Sequence, residues 1–167
     1  MRVFLLRHGE AVDPSPDEAL NDDARELTPH GIENLTKACS TYARIIGTPR
    51  TILHSPLTRA QQSAAILEEA LSDKVTMEEV PELRPNGRAN RVVELLQEDF
   101  LTHSQDVVLV GHEPLLGDLL GLLSTGNDRL GIPMGKGMLA AIRFSDPRVM
   151  IGRLITLLNQ DMAAVLE

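Results

Sequence analysis

Residues Met1–Glu10 read MRVFLLRHGE, an apolar run that stops abruptly at Arg7, His8 and Gly9. Val3, Phe4, Leu5 and Leu6 follow one another without alternation, the pattern of a strand covered on both faces, as strands of parallel sheets are. His8 then stands just beyond the carboxyl end of that strand. Ligands of open α/β sheets gather at this edge, so a guanidinium, an imidazole and a glycine placed there predict an anion site holding a nucleophile. Gly9 is expected to let the backbone approach the ligand closely. An isolated Arg-His-Gly is more simply a strand meeting water, and three further stretches change that reading.

The first is Thr51–His54, a short strand that runs directly into SPLTRAQQSA, residues 55–64. Ser55 is expected to cap a helix whose first residue is Pro56, which puts Arg59 in the first turn. An arginine there opposes the helix macrodipole, so its placement needs a reason, and an anion shared with the helix N-terminus supplies one. The second is Asp106–Gly111, whose Val107-Val108-Leu109-Val110 predicts another buried strand, again followed by an imidazole, His112. His112-Glu113-Pro114 opens a helix that is apolar nearly all round and therefore packed deep. The third is Leu27-Thr28-Pro29-His30-Gly31, which opens a helix with Thr28 as cap and Pro29 at its first position. Its apolar stripe runs through Leu35, Cys39 and Tyr42 to Ile46, and Gly47 with Pro49 ends it.

Between these landmarks, Asp13–Glu26 has no periodicity and predicts a solvated loop, expected as a rim over the site. Val75–Val80 predicts a strand, followed by the loop PELRPNG, residues 81–87, with Glu82 near its start, and a helix over 88–101 with Val92, Val93 and Leu96 inward. Residues 138–144 and 149–157 predict two strands joined by Ser145-Asp146-Pro147, an antiparallel hairpin at a sheet edge, and the last ten residues a short helix. Strand-then-helix units with short connections predict one domain over residues 1–167. Its fold is a three-layer α/β/α sandwich with a mostly parallel central sheet and an antiparallel edge.

Composition narrows the function. A length of 167 residues with 43% hydrophobic content supports a sizeable core. The net charge of -8 and 2% aromatic content argue against nucleic acid and anionic membranes as partners, so an anion pocket must be built locally. No apolar run approaches the ~20 residues of a membrane span, and no secretory leader is evident, so a cytoplasmic protein is expected. The single Cys39 lies on the helical stripe and is expected to be a buried structural thiol. Gly135-Lys136-Gly137 looks like the end of a nucleotide-binding loop but fails, because Gly131 to Gly135 is one residue short and Gly137 stands where Ser or Thr is needed. Lys136 is a solvated loop lysine or a contact at a substrate's edge. The five histidines show neither His-Glu-x-x-His nor another metal-ligand spacing, so no metal is expected.

Arg7-His8-Gly9-Glu10, Leu27-Thr28 with Gly31, Ser55-Pro56-Leu57 with Arg59, and Gly111-His112 together resemble the histidine phosphatase superfamily, which also contains the cofactor-dependent phosphoglycerate mutases. The motifs keep the family's order and span residues 1 to 114. With Pro81-Glu82-Leu83 and the short chain they are most similar to the phosphohistidine phosphatases. The resemblance implies a phosphoglycerate mutase-like fold, phosphorylation of His8, and a phosphoryl group held by Arg7, Arg59 and His112 with Gly9 beside it. It implies no cofactor, and a general acid for ester substrates that is Glu82 before Glu10 or Glu113. The implied substrate is phosphohistidine in a partner signalling protein; a small-molecule phosphomonoesterase is the alternative. Elementary chemistry agrees with those roles. A phosphoryl group in flight spreads charge over its oxygens, which arginines and an imidazole stabilise by position and charge, and two nearby guanidiniums keep His8 neutral and nucleophilic.

Overall fold

The opening run forms strand β1, Arg2–Arg7, in a computed structural model that describes residues 1–14, 22–103, 105–127, 129–146 and 149–166, the side chains of 99–103 excepted. Part of the predicted loop 13–26 and Pro147 of the predicted hairpin turn lie outside the described residues. After β1 come α1 (Pro29–Ile46), β2 (Thr51–His54), α2 (Thr58–Ala70), β3 (Thr76–Glu79) and α3 (Ala89–His103). The chain continues through β4 (Val107–Gly111), α4 (Leu115–Thr125), β5 (Leu139–Arg143), β6 (Arg153–Leu158) and α5 (Gln160–Val165).

The strands form one sheet in the order β3-β2-β4-β1-β5-β6. β1 to β4 are mutually parallel, with Val3 opposite Val107 and Arg7 opposite Gly111, while β5 and β6 are antiparallel. The mostly parallel sheet with an antiparallel edge is the architecture that the apolar runs predict. The run in β1 is continuous because both of its faces are covered. Side chains alternate across a strand, so Phe4 and Leu6 pack with Leu35, Cys39 and Tyr42 of α1, Ala60 and Leu67 of α2 and Ala163 of α5. Val3 and Leu5 pack with Val92 and Leu96 of α3 and with the leucines of α4. Burial pushes the Cys39 thiol up to about 12, which makes it inert at neutral pH.

Local chemistry sets the ends of α1 as expected: Thr28 accepts from the Gly31 N–H at 2.9 Å, Pro29 is in the first turn, and Gly47 stops the helix at φ 74°. Three elements differ from expectation. α2 begins at Thr58 rather than Pro56, with Leu57 at the cap; the buried Ser55 Oγ accepts from the Leu57 N–H at 3.4 Å and also lies 2.8 Å from His112 Nε2. β3 is an outer strand with all four residues exposed, and only the flanking Val75 and Val80 reach the two cores. β6 starts at Arg153, since the preceding Gly152 donates its N–H to Leu123 at the end of α4. No helix among the described residues is long and apolar enough to cross a membrane.

Candidate active site

Parallel register delivers the two histidines side by side. Because Arg7 lies opposite Gly111, the next residues, His8 and His112, leave adjacent strands at the same level, and their ring centroids are 4.9 Å apart. The His8 N–H donates to the Gly111 carbonyl at 3.1 Å, locking the two strand ends together. β2 is the neighbour of β4 on the far side, so Ser55 joins the same edge and α2 carries Arg59 to it. Arg7, His8, Arg59 and His112 thus line one cleft of about 380 Å³.

Hydrogen bonds distinguish the two imidazoles. His8 Nδ1 is 2.6 Å from the Gly9 carbonyl oxygen. A carbonyl only accepts, so Nδ1 carries the proton and the lone pair is on Nε2. Burial foremost, with the charges of Arg59, Arg7 and Arg25, lowers the His8 pKa to about 4. His112 Nε2 is 2.8 Å from Ser55 Oγ. Burial foremost, then the neighbouring His8 and Arg59, lowers its pKa to about 3. Both rings are therefore neutral near pH 7.

The arginines are held by one edge each. Arg7 Nη1 donates to the Met134 carbonyl at 2.7 Å, and Arg59, only 3% exposed, donates from Nη1 to the Asp22 carbonyl at 2.7 Å and from Nη2 to Asp22 Oδ2 at 3.0 Å. Arg7 Nε, Arg59 Nε and His112 Nδ1 are buried and have no hydrogen-bond partner among the described residues. Buried polar nitrogens are normally paired, and these three belong to residues that line the same cleft.

Not every expected residue is at the cleft. Gly9 is not among the residues lining it: its N–H donates to Ser63 Oγ at 3.1 Å, and that hydroxyl donates to the Arg59 carbonyl at 2.6 Å, so Gly9 ties β1 to α2. Glu82 lines a separate groove with Arg50, Leu53 and Glu79. It sits on the 3-10 turn Pro81–Leu83, where the next residue, Leu83, is fully buried; successive side chains in such a turn point about 120° apart, which sends Glu82 elsewhere. The same loop presents Pro85 to the cleft. Glu10 is paired with the exposed His30 at 2.8 Å, which holds its carboxyl below the usual range. Of the three candidate glutamates the one that lines the cleft, with Asp13 and Asp22, is Glu113, whose Oε1 accepts from the Met134 N–H at 3.0 Å; burial raises its pKa, opposed by that hydrogen bond and by the charge of Arg7.

Asp22 and Arg25, which the sequence did not single out, and Lys136, expected as a solvated lysine or a contact at a substrate's edge, complete the wall. Arg25 and Asp22 come from the loop 13–26, expected to be solvated and to rim the site, and the only local signal for these two residues is their spacing, which allows the ion pair they make at 2.7 Å. Lys136 stands at the rim beside Gly137, which is at φ 67°. A Cβ at Gly137 would meet Gln160 Oε1 at 1.6 Å, so that turn requires glycine.

Comparison with known proteins places this geometry. The model of the histidine phosphatase superfamily (branch 1) matches residues 3–85. The chain is similar to the phosphohistidine phosphatase SixA of Escherichia coli (strain K12), with 29% identity over 126 residues covering 75% of this chain and 76% of that protein. It is 31% identical to the phosphohistidine phosphatase SixA homolog of Haemophilus influenzae over 134 residues, 74% of this chain and 77% of the relative. The fold matches a solved structure of the protein histidine phosphatase SixA complexed with tungstate at a TM-score of 0.85 and 24% identity, covering 96% of this chain and 98% of that one.

Proposed function

This chain belongs to the histidine phosphatase superfamily, and on that premise we propose that it is a metal-independent phosphatase that carries phosphate on His8 and takes it from phosphohistidine in a partner protein. The observation that carries this reading is a His8 whose Nδ1 is committed to the Gly9 carbonyl, leaving Nε2 for attack, in one cleft with half-buried Arg7 and buried Arg59. In the first step Nε2 attacks phosphorus as the phosphorus–nitrogen bond to the substrate imidazole breaks. Arg7, Arg59 and His112 take up the charge on the phosphoryl oxygens. A dianion in the cleft reverses the electrostatics at His112, raising its pKa so that it serves as a cationic donor. Water then attacks phospho-His8, releasing inorganic phosphate and restoring the Nε2 lone pair.

The choice of phosphohistidine rests on the leaving group. A phosphoimidazole protonated at its other nitrogen departs as neutral imidazole without a proton from the enzyme, whereas an alkoxide needs one. The loop that carries Glu82 offers Pro85, not a carboxyl, to the cleft. A second reading, a small-molecule phosphomonoesterase, is favoured by Glu113, a carboxyl of raised pKa at the cleft wall.

A release assay with a phosphohistidine protein and a panel of phosphate monoesters separates the two. We expect higher kcat/KM on phosphohistidine, activity that survives EDTA, and acid-labile label on His8 after trapping. Glu113→Gln is expected to depress ester hydrolysis while sparing phosphohistidine, and Glu82→Gln to leave both unchanged. A preference for a small ester, with both activities lost equally in Glu113→Gln, selects the second reading; label on Ser or Asp rejects both.

A further inference from the structure

The turn Asp22–Ala24 meets Arg59 along one edge only. A guanidinium has two forks for bidentate binding, an outer one made by Nη1 and Nη2 and an inner one made by Nε and Nη2. Asp22 fills the outer fork of Arg59 by itself, its carbonyl taking Nη1 at 2.7 Å and its Oδ2 taking Nη2 at 3.0 Å. The inner fork keeps Nε, which is buried and has no partner among the described residues, and the second hydrogen of Nη2. Arg7 repeats the arrangement, with Nη1 on the Met134 carbonyl and Nε unpartnered.

Asp22 is itself pinned. Its Oδ1 accepts from Arg25 Nε at 2.7 Å, and Arg25 Nη1 donates to the Val12 carbonyl at 2.8 Å. The next residue, Asp23, binds Arg84 Nη1 through both carboxylate oxygens, at 3.0 and 2.9 Å. One carboxylate therefore holds two arginines, each by a different oxygen, while the backbone of the same residue supplies the third acceptor. That use explains an otherwise unfavourable choice, since an anion beside a phosphate site repels the ligand. Asparagine has a single side-chain acceptor oxygen and satisfies Arg59 or Arg25, not both.

We infer that Asp22 is a positioning residue for this reaction: held by Arg25, it grips Arg59 by the outer fork so that the inner fork is turned to the transferred phosphoryl group. The inference rests on the phosphatase reading proposed above.

The test is a double-mutant cycle of Asp22→Ala and Arg59→Ala, read as kcat and KM on one phosphohistidine protein and as affinity for inorganic phosphate by calorimetry. Misplacing a catalytic group costs up to about 10²-fold, so Asp22→Ala is expected to lower kcat by roughly 10- to 10²-fold and weaken phosphate binding in the otherwise unmutated protein. In the Arg59→Ala background it should change neither, because nothing remains to orient; Asp22→Asn should fall between. A merely structural Asp22 lowers the active fraction equally in both backgrounds, and that result overturns the inference. So does tighter phosphate binding in Asp22→Ala, which would make Asp22 a competitor of the ligand. An unmutated protein that cleaves no phosphohistidine and no ester overturns the phosphatase reading instead, and the calorimetric cycle, which needs no turnover, still decides the role of Asp22.

Discussion

The carboxyl ends of β1 and β4 are built alike and end differently. Each closes a buried apolar strand, each hands an imidazole to the same cleft, and burial depresses both pKa values to similar low levels, about 4 for His8 and about 3 for His112. Acidity alone does not tell the two apart. The partner of each ring does: a carbonyl fixes the proton of His8 on Nδ1 and leaves the lone pair on Nε2, while His112 rests on a hydroxyl that donates or accepts as required. On the proposed mechanism the first ring attacks, and the second changes protonation as the anion arrives.

The largest expected effect breaks the pair at His8. His8→Ala should abolish phosphate release from every substrate while circular dichroism shows an intact fold, because no core contact is lost. Measurable turnover would move the nucleophile elsewhere. Next comes His112→Ala, expected to lower the rate by roughly 10²- to 10³-fold, about 3 to 4 kcal/mol, the usual loss for one preorganised donor. If His112→Ala were instead as inactive as His8→Ala, the division of labour would fail. A smaller loss should follow Ser55→Ala, which removes the partner of His112 Nε2 together with a long 3.4 Å contact to the Leu57 N–H. One buried hydrogen bond is worth about 1 kcal/mol, so roughly fivefold is expected in kcat/KM, and no further loss once His112 is Ala.

The smallest effect is on stability. Both rings titrate below the ordinary histidine value in the folded chain, so between pH 6.5 and about 4 the unfolded chain binds more protons. Stability therefore falls as the pH drops through that window. Melting temperatures across it should decline more steeply for the unmutated protein than for His8→Gln, which lacks one of the two rings. Equal slopes would mean that His8 is not the depressed group.

Much of this molecule was legible along the chain. The unbroken apolar runs of β1 and β4 announced strands covered on both faces, and the observed two-sided cores bear that out. Thr28, Pro29 and Gly47 marked the ends of α1, since capping involves atoms only a few residues apart. Arg7, His8, Arg59 and His112 stood out because each follows a strand or opens a helix, and the sheet brings such positions to one edge.

What the chain order did not reveal is how side chains from distant segments pair there. Ser55 reads locally as a helix cap, yet its hydroxyl meets His112, 57 positions on, once β2 lies beside β4. Gly9 was expected at the ligand and instead joins Ser63. Glu82 was the expected acid, but the direction of its side chain follows from burying Leu83, and Glu113 occupies the wall in its stead. Asp22 looked like one acid among many in a polar loop until Arg59, 37 residues away, was found in its grip. By itself the sequence determined the buried strands β1 and β4, the ends of α1 and the cations and imidazoles that meet at the cleft, because periodicity, capping and charge are local properties. The tertiary structure alone decided which nitrogen of each imidazole is free and which arginine nitrogens are already taken, because those depend on partners brought together by the fold.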